Sequence, residues 1–203
     1  MKFINLIFLL VLTLGQVIAQ DKNQNNKVLD QINNLLLDSK YEETIQLIDQ
    51  TKTTDAIFEV QLKNKKAEAL IRQGKYEAAN KLLTEVLEKI NQLKSPLSLK
   101  ASTLVNVGYL HLNQGRNDLA VETLTNAAST LQQSGNALET AQALSYLGQA
   151  YFNTGKYAQA EEQQLMALSL RLAQLPETHE LIAASYTDLG LVYSRIDVDK
   201  SFD

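Results

Sequence analysis

The sequence predicts an all-α chain built from repeated pairs of antiparallel helices, and three observations support this prediction. Apolar residues recur at spacings of three and four, as in Leu144, Leu147 and Tyr151, which is the spacing of one helical face. Glycines return at an interval of about 40 residues. The alternation of apolar and polar residues that would indicate β-strands is missing throughout the sequence.

Composition excludes several classes of function. The chain has 203 residues and a formal net charge of -4, so it lacks the basic character of a nucleic-acid-binding protein. It contains no cysteine and only two histidines, His111 and His179, which leaves no thiol nucleophile and no zinc knuckle. The motifs HExxH, GxGxxG and GxxxxGK[ST] are absent. We therefore expect no catalytic residue, no cofactor and no metal.

The N-terminus has the layout of a signal peptide over residues 1–19. One lysine precedes an apolar run, and the small residues Val17 and Ala19 stand before the expected cleavage site. The alternative is an uncleaved membrane anchor, which needs ~20 apolar residues, and this run is shorter and interrupted by Asn5 and Thr13. We expect cleavage after Ala19, no stable membrane insertion afterwards, and a periplasmic or secreted protein.

Glycines divide the rest of the chain into repeats. Gly74, Gly115 and Gly155 are separated by 41 and 40 residues, and a second set, Gly108, Gly148 and Gly190, by 40 and 42. Residues 20–27 are wholly polar and are expected to form a flexible lead-in. The array then occupies 28–203, with helix pairs near 28–51, 56–93, 97–133 and 137–173 and an incomplete pair from 177.

Small residues at fixed positions have a physical reason. Gly108, Gly148 and Gly190 are expected where the first helix of a pair crosses the second helix. Three alanines are expected to face these glycines from the second helix, namely Ala79, Ala120 and Ala160. Because these side chains are small, the two helix axes can approach closely, and a larger side chain would overpack the crossing. The other set of glycines, Gly74, Gly115 and Gly155, marks the turn within each pair.

The pattern resembles the tetratricopeptide repeat family. The fourth pair matches its spaced residues at Leu144, Leu147, Gly148, Tyr151, Gly155, Tyr157, Ala160 and Ala167. The period of 40 to 42 residues resembles the longer repeats of kinesin light chains, and the resemblance covers Val28 to the end. It implies a right-handed superhelical solenoid. Four positions depart from the family pattern, with polar residues where large ones are expected: Lys63, Lys66, His111 and Gln164.

The resemblance implies a concave groove that binds a peptide or protein partner. The side chains expected in it are Asn64, Glu68, Asn106, Tyr109, Asn113, Gln149, Asn153 and Thr187. Such an amide-rich lining could hydrogen-bond the main chain of an extended peptide. The alternative is that Asn and Gln are common on any solvated helix face of this chain. No set of basic residues for clamping a terminal carboxylate is recognisable, and His111 is expected to be a core imidazole.

The sequence thus predicts an exported, non-catalytic scaffold for protein–protein interaction. We expect a turn over residues 197–199 and a new helix near Lys200, and therefore a chain that is the N-terminal part of a longer protein; a naturally fraying end is the alternative. An alternative function is the sensory or regulatory region of a larger bacterial enzyme. The secreted long-form repeats resemble those of CHAT-domain peptidases and of sensor histidine kinases. A structural spacer without a ligand is the third possibility.

Overall fold

The computed structural model describes residues 22–93 and 96–200, with side chains up to Ile196. These residues form nine α-helices and no β-strand, which confirms the all-α prediction. Helix α1 covers 22–37. The other helices are α2 (Tyr41–Gln50), α3 (Ala56–Arg72), α4 (Tyr76–Leu93), α5 (Leu97–Asn113), α6 (Asn117–Gln133), α7 (Ala137–Asn153), α8 (Tyr157–Leu172) and α9 (Glu180–Lys200). The predicted signal peptide, 1–19, lies outside the described residues.

Left-handed residues end the first helix of each pair. Gly74, Gly115 and Gly155 have φ between 72° and 74°, a conformation that glycine adopts without steric cost. The backbone N–H of Lys75 then donates to the carbonyl of Leu70 at 2.9 Å, which closes the end of α3. The same two features recur after α5 and α7. The turn glycines therefore set the reversal of direction in three pairs, and Ser39, with φ of 59°, takes the same place in the first pair.

Side-chain and proline caps fix where helices begin. The carboxylate of Asp55 accepts from the backbone N–H groups of Ile57 and Phe58 at 2.9 and 3.2 Å, which satisfies two free donors at the start of α3. Asn136 accepts more weakly from the N–H of Glu139, at 3.4 Å. Pro96 directly precedes α5. These signals mark the starts of α3, α5 and α7, whereas α2, α6 and α8 begin without a hydrogen bond from a capping side chain.

Two glycines allow close contact between the helices of a pair. A Cβ atom built on Gly108 would lie 2.4 Å from Cγ of Leu124, and one built on Gly148 would lie 2.9 Å from Nε2 of Gln164. Three alanines of the second helices are completely buried, namely Ala79, Ala120 and Ala160. Gly190 differs from the sequence prediction, because nothing described lies within 4 Å of its Cβ position. No described helix follows α9 to cross it.

Buried apolar clusters connect each pair to the next. One cluster joins α1, α2 and α3 through residues such as Ile32, Ile48 and Phe58. A larger cluster runs through α5, α6, α7 and α8 and includes Leu124 and Leu147. Each pair therefore buries its apolar side against its neighbours along the array, as a repeat protein requires.

Two lysines at family apolar positions are accommodated by ion pairs. Lys63 lies 3.0 Å from a carboxylate oxygen of Glu59, and Lys66 lies 2.6 Å from one of Asp49 on α2. Their side chains keep about a third of their surface exposed, so their charges remain partly hydrated. Lys66 thus pairs across to α2, whereas Lys63 pairs within α3, and both charges stay at the surface.

The ends of the array differ from the sequence prediction. Helix α1 already begins at residue 22, so the prediction of a flexible lead-in over 20–27 is wrong for 22–27. No proline or glycine interrupts that segment, and extending an existing helix costs little. Helix α9 begins at Glu180 rather than 177, and its backbone stays helical through 197–199, where a turn was predicted. No glycine occurs there to end it.

Replacing Gly108 with alanine tests the close crossing. Overpacking against Leu124 is expected to cost about 1–3 kcal/mol, against a gain of at most about 1 kcal/mol from the better helix former. We expect a net loss in the free energy of unfolding, measured by urea denaturation. Gly190→Ala is the matched control, because its Cβ meets open space, and it should gain about 0.5–1 kcal/mol. Equal shifts in the two variants would contradict this account.

Candidate functional site

The first helices of successive pairs form an inner row. Helices α3, α5, α7 and α9 each contact the next member of this row directly, whereas the second helices α4, α6 and α8 do not contact one another within the described ranges. Helices of the inner row are therefore closer together than the outer ones, so the array curves with the inner row on its concave side. The predicted groove residues all belong to the inner row.

Two of the predicted groove residues connect neighbouring helices instead of facing a ligand. Asn64 donates from Nδ2 to Oγ1 of Thr103 at 2.9 Å, and Asn106 donates from Nδ2 to the backbone carbonyl of Asn64 at 2.9 Å. Both asparagines are 7% exposed. Their amides therefore hold α3 to α5, and they are not free to bind the main chain of a peptide.

Glu68 is likewise occupied within the protein. Its side chain is 7% exposed and lies 3.1 Å from Nη2 of Arg72 and 3.5 Å from Nζ of Lys65. Two cations thus share one buried carboxylate on α3. The guanidinium of Arg72 also lies over the ring of Tyr109 on α5, at 5.8 Å from the ring centroid.

Tyr109 belongs to an aromatic stack that crosses the inner row. Its ring is nearly parallel to that of Tyr146 on α7, at 13°, with the ring centroids 4.3 Å apart. The hydroxyl of Tyr146 accepts from Nε2 of Gln142 at 3.1 Å. Burial, as the main cause, raises the pKa of both tyrosines, so their rings stay neutral. Arg72, Tyr109 and Tyr146 form one continuous contact across α3, α5 and α7, which we call the tyrosine stack.

Sequence reasoning missed Tyr146, although a signal was present. Tyr146 follows Asn106 by 40 residues, one repeat period, and Asn106 was selected as a groove position. Only Tyr109 was assigned to the groove among the tyrosines of this row. The same position of the repeat is therefore occupied by the buried amide of Asn106 in α5 and by the stacked ring of Tyr146 in α7.

The exposed part of the concave face lies near the ends of the inner helices. Asn113 donates to the carbonyl of Tyr109 at 2.8 Å, and Asn153 donates to Oδ1 of Asn117 at 3.2 Å. Thr187 donates to the carbonyl of Ala183 at 3.0 Å. All three predicted residues are exposed and keep unused acceptor or donor capacity. They, with the half-buried Tyr109, are the predicted residues that a partner can reach.

Gln149 faces the last helix. Its Nε2 donates to the carboxylate of Asp188 on α9 at 3.5 Å, and Oγ of Ser145 donates to the same oxygen at 3.3 Å. Burial raises the pKa of Asp188, while the hydrogen bonds from Gln149 and Ser145 and the charge of Arg171 oppose that rise. This end of the inner row is therefore polar and partly closed.

The two histidines lie far apart in the sequence, His111 within α5 and His179 just before α9. His111 is partly exposed, and its buried Nδ1 has no hydrogen-bond partner among the described atoms, so it is not the fully packed imidazole that was expected. Burial lowers its pKa, as does the positive charge of Arg116. His179 accepts from the backbone N–H of Leu181 at 3.2 Å and caps the start of α9. Within 22–93 and 96–196, no three His, Cys, Asp or Glu side chains could hold a metal ion.

The fold and the concave inner row define a helical repeat solenoid, a class of proteins that present an extended curved surface. The tetratricopeptide repeat family model matches residues 99–173 and 139–201, which together cover just over half of the chain. The chain belongs to the tetratricopeptide repeat family. Repeats of this family are generally protein–protein interaction modules, and such scaffolds are typically non-catalytic.

Solved structures share the fold. A kinesin light chain-like protein of Podosopora anserina with nearly identical TPR-like repeats is 15% identical in sequence to this chain. The structural match covers 87% of this chain and 88% of that one. Its two structures, of which one is a single-residue variant, give TM-scores of 0.57 and 0.56. BtubC from P. vanneervenii is 17% identical in sequence, with a TM-score of 0.58. That match covers 79% of this chain and 65% of the BtubC chain. The likeness extends to the fold alone.

A search of curated protein sequences found no significant match. None of the helices in the described ranges is long and apolar enough to span a membrane.

Alanine at Asn106 tests whether the buried amides are structural. The substitution removes the hydrogen bond to Asn64 and leaves a small void, so we expect a loss of about 1 kcal/mol in the free energy of unfolding. Asn113→Ala is the matched control at an exposed position and should stay within about 0.5 kcal/mol of the parent. Urea denaturation followed by circular dichroism measures both. Identical stability of the two variants would show that the buried amide does not hold α5 to α3.

Proposed function

We propose that the protein is an exported, non-catalytic scaffold that binds a peptide or protein partner on the concave face of its repeat array. The observation that carries the proposal is the inner row itself. Four successive helices contact one another and line one side of the array, and that side bears the half-buried Tyr109 next to exposed polar groups. A curved surface of this kind can contact an extended partner over several repeats.

The contacts of the inner row distinguish residues that hold the array together from residues that can face a partner. Asn64 and Asn106 hold α3 and α5 in register, and Glu68 is occupied by Lys65 and Arg72 of its own helix, so all three shape the surface without meeting the partner. The partner-facing set is smaller than the sequence suggested and consists of Tyr109, Asn113, Asn153 and Thr187. Amide and hydroxyl groups there can bond a peptide main chain with little demand on its sequence.

Export is the second part of the proposal. It rests on the leader over residues 1–19 and on the absence of cysteine, which frees the chain from the redox state of its compartment. A bacterial source, with a periplasmic or secreted location, fits both features.

A second candidate function is the sensory or regulatory region of a larger bacterial enzyme, of the CHAT-type peptidase or sensor histidine kinase class. The outer side of α9 favours it. Tyr186 and Tyr193 are 57% and 41% exposed there, and Gly190 between them is open. That surface could pack against a further element.

Site-specific photo-crosslinking tests the concave face directly. A photoreactive amino acid at Asn113 or Asn153 is expected to give covalent adducts with a partner from the envelope and medium fractions of the source organism. The same probe at Asn126 on α6 or Glu162 on α8, both exposed on the outer helices, is the matched control. Adducts from the outer positions alone, or from none of the four, would contradict a concave binding face.

The leader can be tested on the intact protein. Intact-mass and N-terminal analysis of the protein purified from its source should give a mature chain that begins at Gln20, because Val17 and Ala19 supply the small residues that signal peptidase requires. A chain that retains residues 1–19 and remains in the membrane fraction would identify the leader as an anchor. The crosslinking result does not depend on this outcome.

A further inference from the structure

The last junction of the array is built differently from the one before it. Where the pair α5–α6 meets the pair α7–α8, the buried core of the contact is apolar, and polar contacts such as Ser102 with Glu139 lie around it. Leu124 and Leu131 of α6 and Ala143 and Tyr146 of α7 are all members of one buried apolar cluster. Burial of such side chains is the main source of stability between repeats.

Polar residues take the corresponding places at the next junction. Gln164 and Arg171 of α8 follow Leu124 and Leu131 by 40 residues, and Ser185 and Asp188 of α9 follow Ala143 and Tyr146 by 42. Gln164 is 1% exposed, Arg171 is 6% exposed and Ser185 is fully buried. Arg171, Ser185 and Asp188 thus place polar groups between α9 and the preceding pair, whereas Gln164 lies over Gly148 of α7 within the pair α7–α8.

These polar groups bond one another across α7, α8 and α9. Arg171 donates from Nη1 to the hydroxyl of Ser185 and to the carbonyl of Leu181, the latter at 3.3 Å. Gln164 donates from Nε2 to the carbonyl of Ser145 at 3.0 Å, and its buried Oε1 has no partner in the described structure. Asp188 receives its two hydrogen bonds from α7 at 3.3 and 3.5 Å, which is long for a carboxylate acceptor.

Such a network contributes less to stability than the apolar contact it replaces. A hydrogen bond exchanges partners with water and gains little net free energy, and a buried charge carries a desolvation cost. The apolar contact at this junction includes a small cluster of Leu168, Ile182 and Leu189, with Leu175 against it, and Val192 of α9 is also buried. The attachment of α9 is therefore weaker than that of α7.

We propose that α9 detaches from α7 and α8 as a separate unit while α3 to α8 stay folded. Local opening of this kind is expected where apolar contacts are few and buried polar groups are many. Helix α9 carries Thr187 and Asp188 at the end of the concave face, so its detachment changes the length and the charge of that face. This detachment does not depend on whether the concave face has a ligand.

Hydrogen exchange of the whole protein, read by mass spectrometry, tests the proposal without any substitution. Amides of α9 between 182 and 196 are expected to exchange at least about tenfold faster than those of α7. Helix α2 is the control for simple end effects, because it also lies near an end of the described array but packs through an apolar cluster with α3. Protection of α9 equal to that of α7 would overturn the proposal.

A second experiment replaces the polar residues of the last junction with the apolar residues found at the preceding one. The variant Gln164→Leu, Arg171→Leu, Ser185→Ala and Asp188→Tyr restores the residues of the preceding junction, and it should slow exchange in α9 at least about tenfold relative to the parent. Gln159→Leu with Arg195→Leu adds similar side chains at exposed positions of the same two helices and should leave the exchange unchanged.

Fast exchange in α9 that persists in the transplanted variant would assign it to fraying of a terminal helix and would overturn the proposal. If the fourfold variant does not fold, Arg171→Leu with Ser185→Ala removes the buried polar contact between α8 and α9 alone and is expected to slow exchange in α9 in the same direction. Unchanged exchange in that variant, with α9 no faster than α2 in the parent, would again contradict a separately opening helix.

Discussion

Close approach between the two helices of a pair is the constraint on which the array depends. At Gly108 the chain of α5 comes so near to Leu124 of α6 that there is no space for even one additional carbon atom. The buried Ala120 permits the same approach from the other helix. Because one pair cannot cover its own apolar side, this contact fixes the shape that the next pair must fit, and the curvature of the inner row follows.

Once the crossing and the turns are fixed, the chain tolerates polar residues at positions that are usually apolar. Lys63 and Lys66 reach carboxylates at the surface, where hydration limits their cost. Gln164 is different, because it lies in the interior over Gly148 and leaves one oxygen without a partner. The same kind of substitution is therefore nearly neutral at the rim and costly in the core. The depth at which a polar residue lies, rather than its polarity alone, determines how much it lowers stability.

The helical frame was predictable from the sequence because its signals are local. A left-handed turn requires residues such as Gly74 or Gly115, and apolar periodicity shows which side of a helix is covered. The depth of a polar residue was not predictable. Asn106 and Asn113 both lie on the inner side of α5, yet the first is buried against α3 and the second is exposed. Periodicity gives the direction of a side chain, whereas its burial depends on how closely the neighbouring helix approaches.

The inner row therefore combines two roles that compete for the same surface. Residues that hold adjacent helices together, such as Asn64 and Tyr146, cannot also contact a partner without loosening the array. The surface left for recognition is the part that the helices do not need for each other, and it is concentrated near helix ends. Towards α9 polar contacts replace part of the apolar packing. The stability of the helix attachment therefore decreases in that direction, and the freedom of the surface to adjust its shape increases. A partner that spans the concave face would meet a rigid surface at the tyrosine stack and an adjustable one beyond α7.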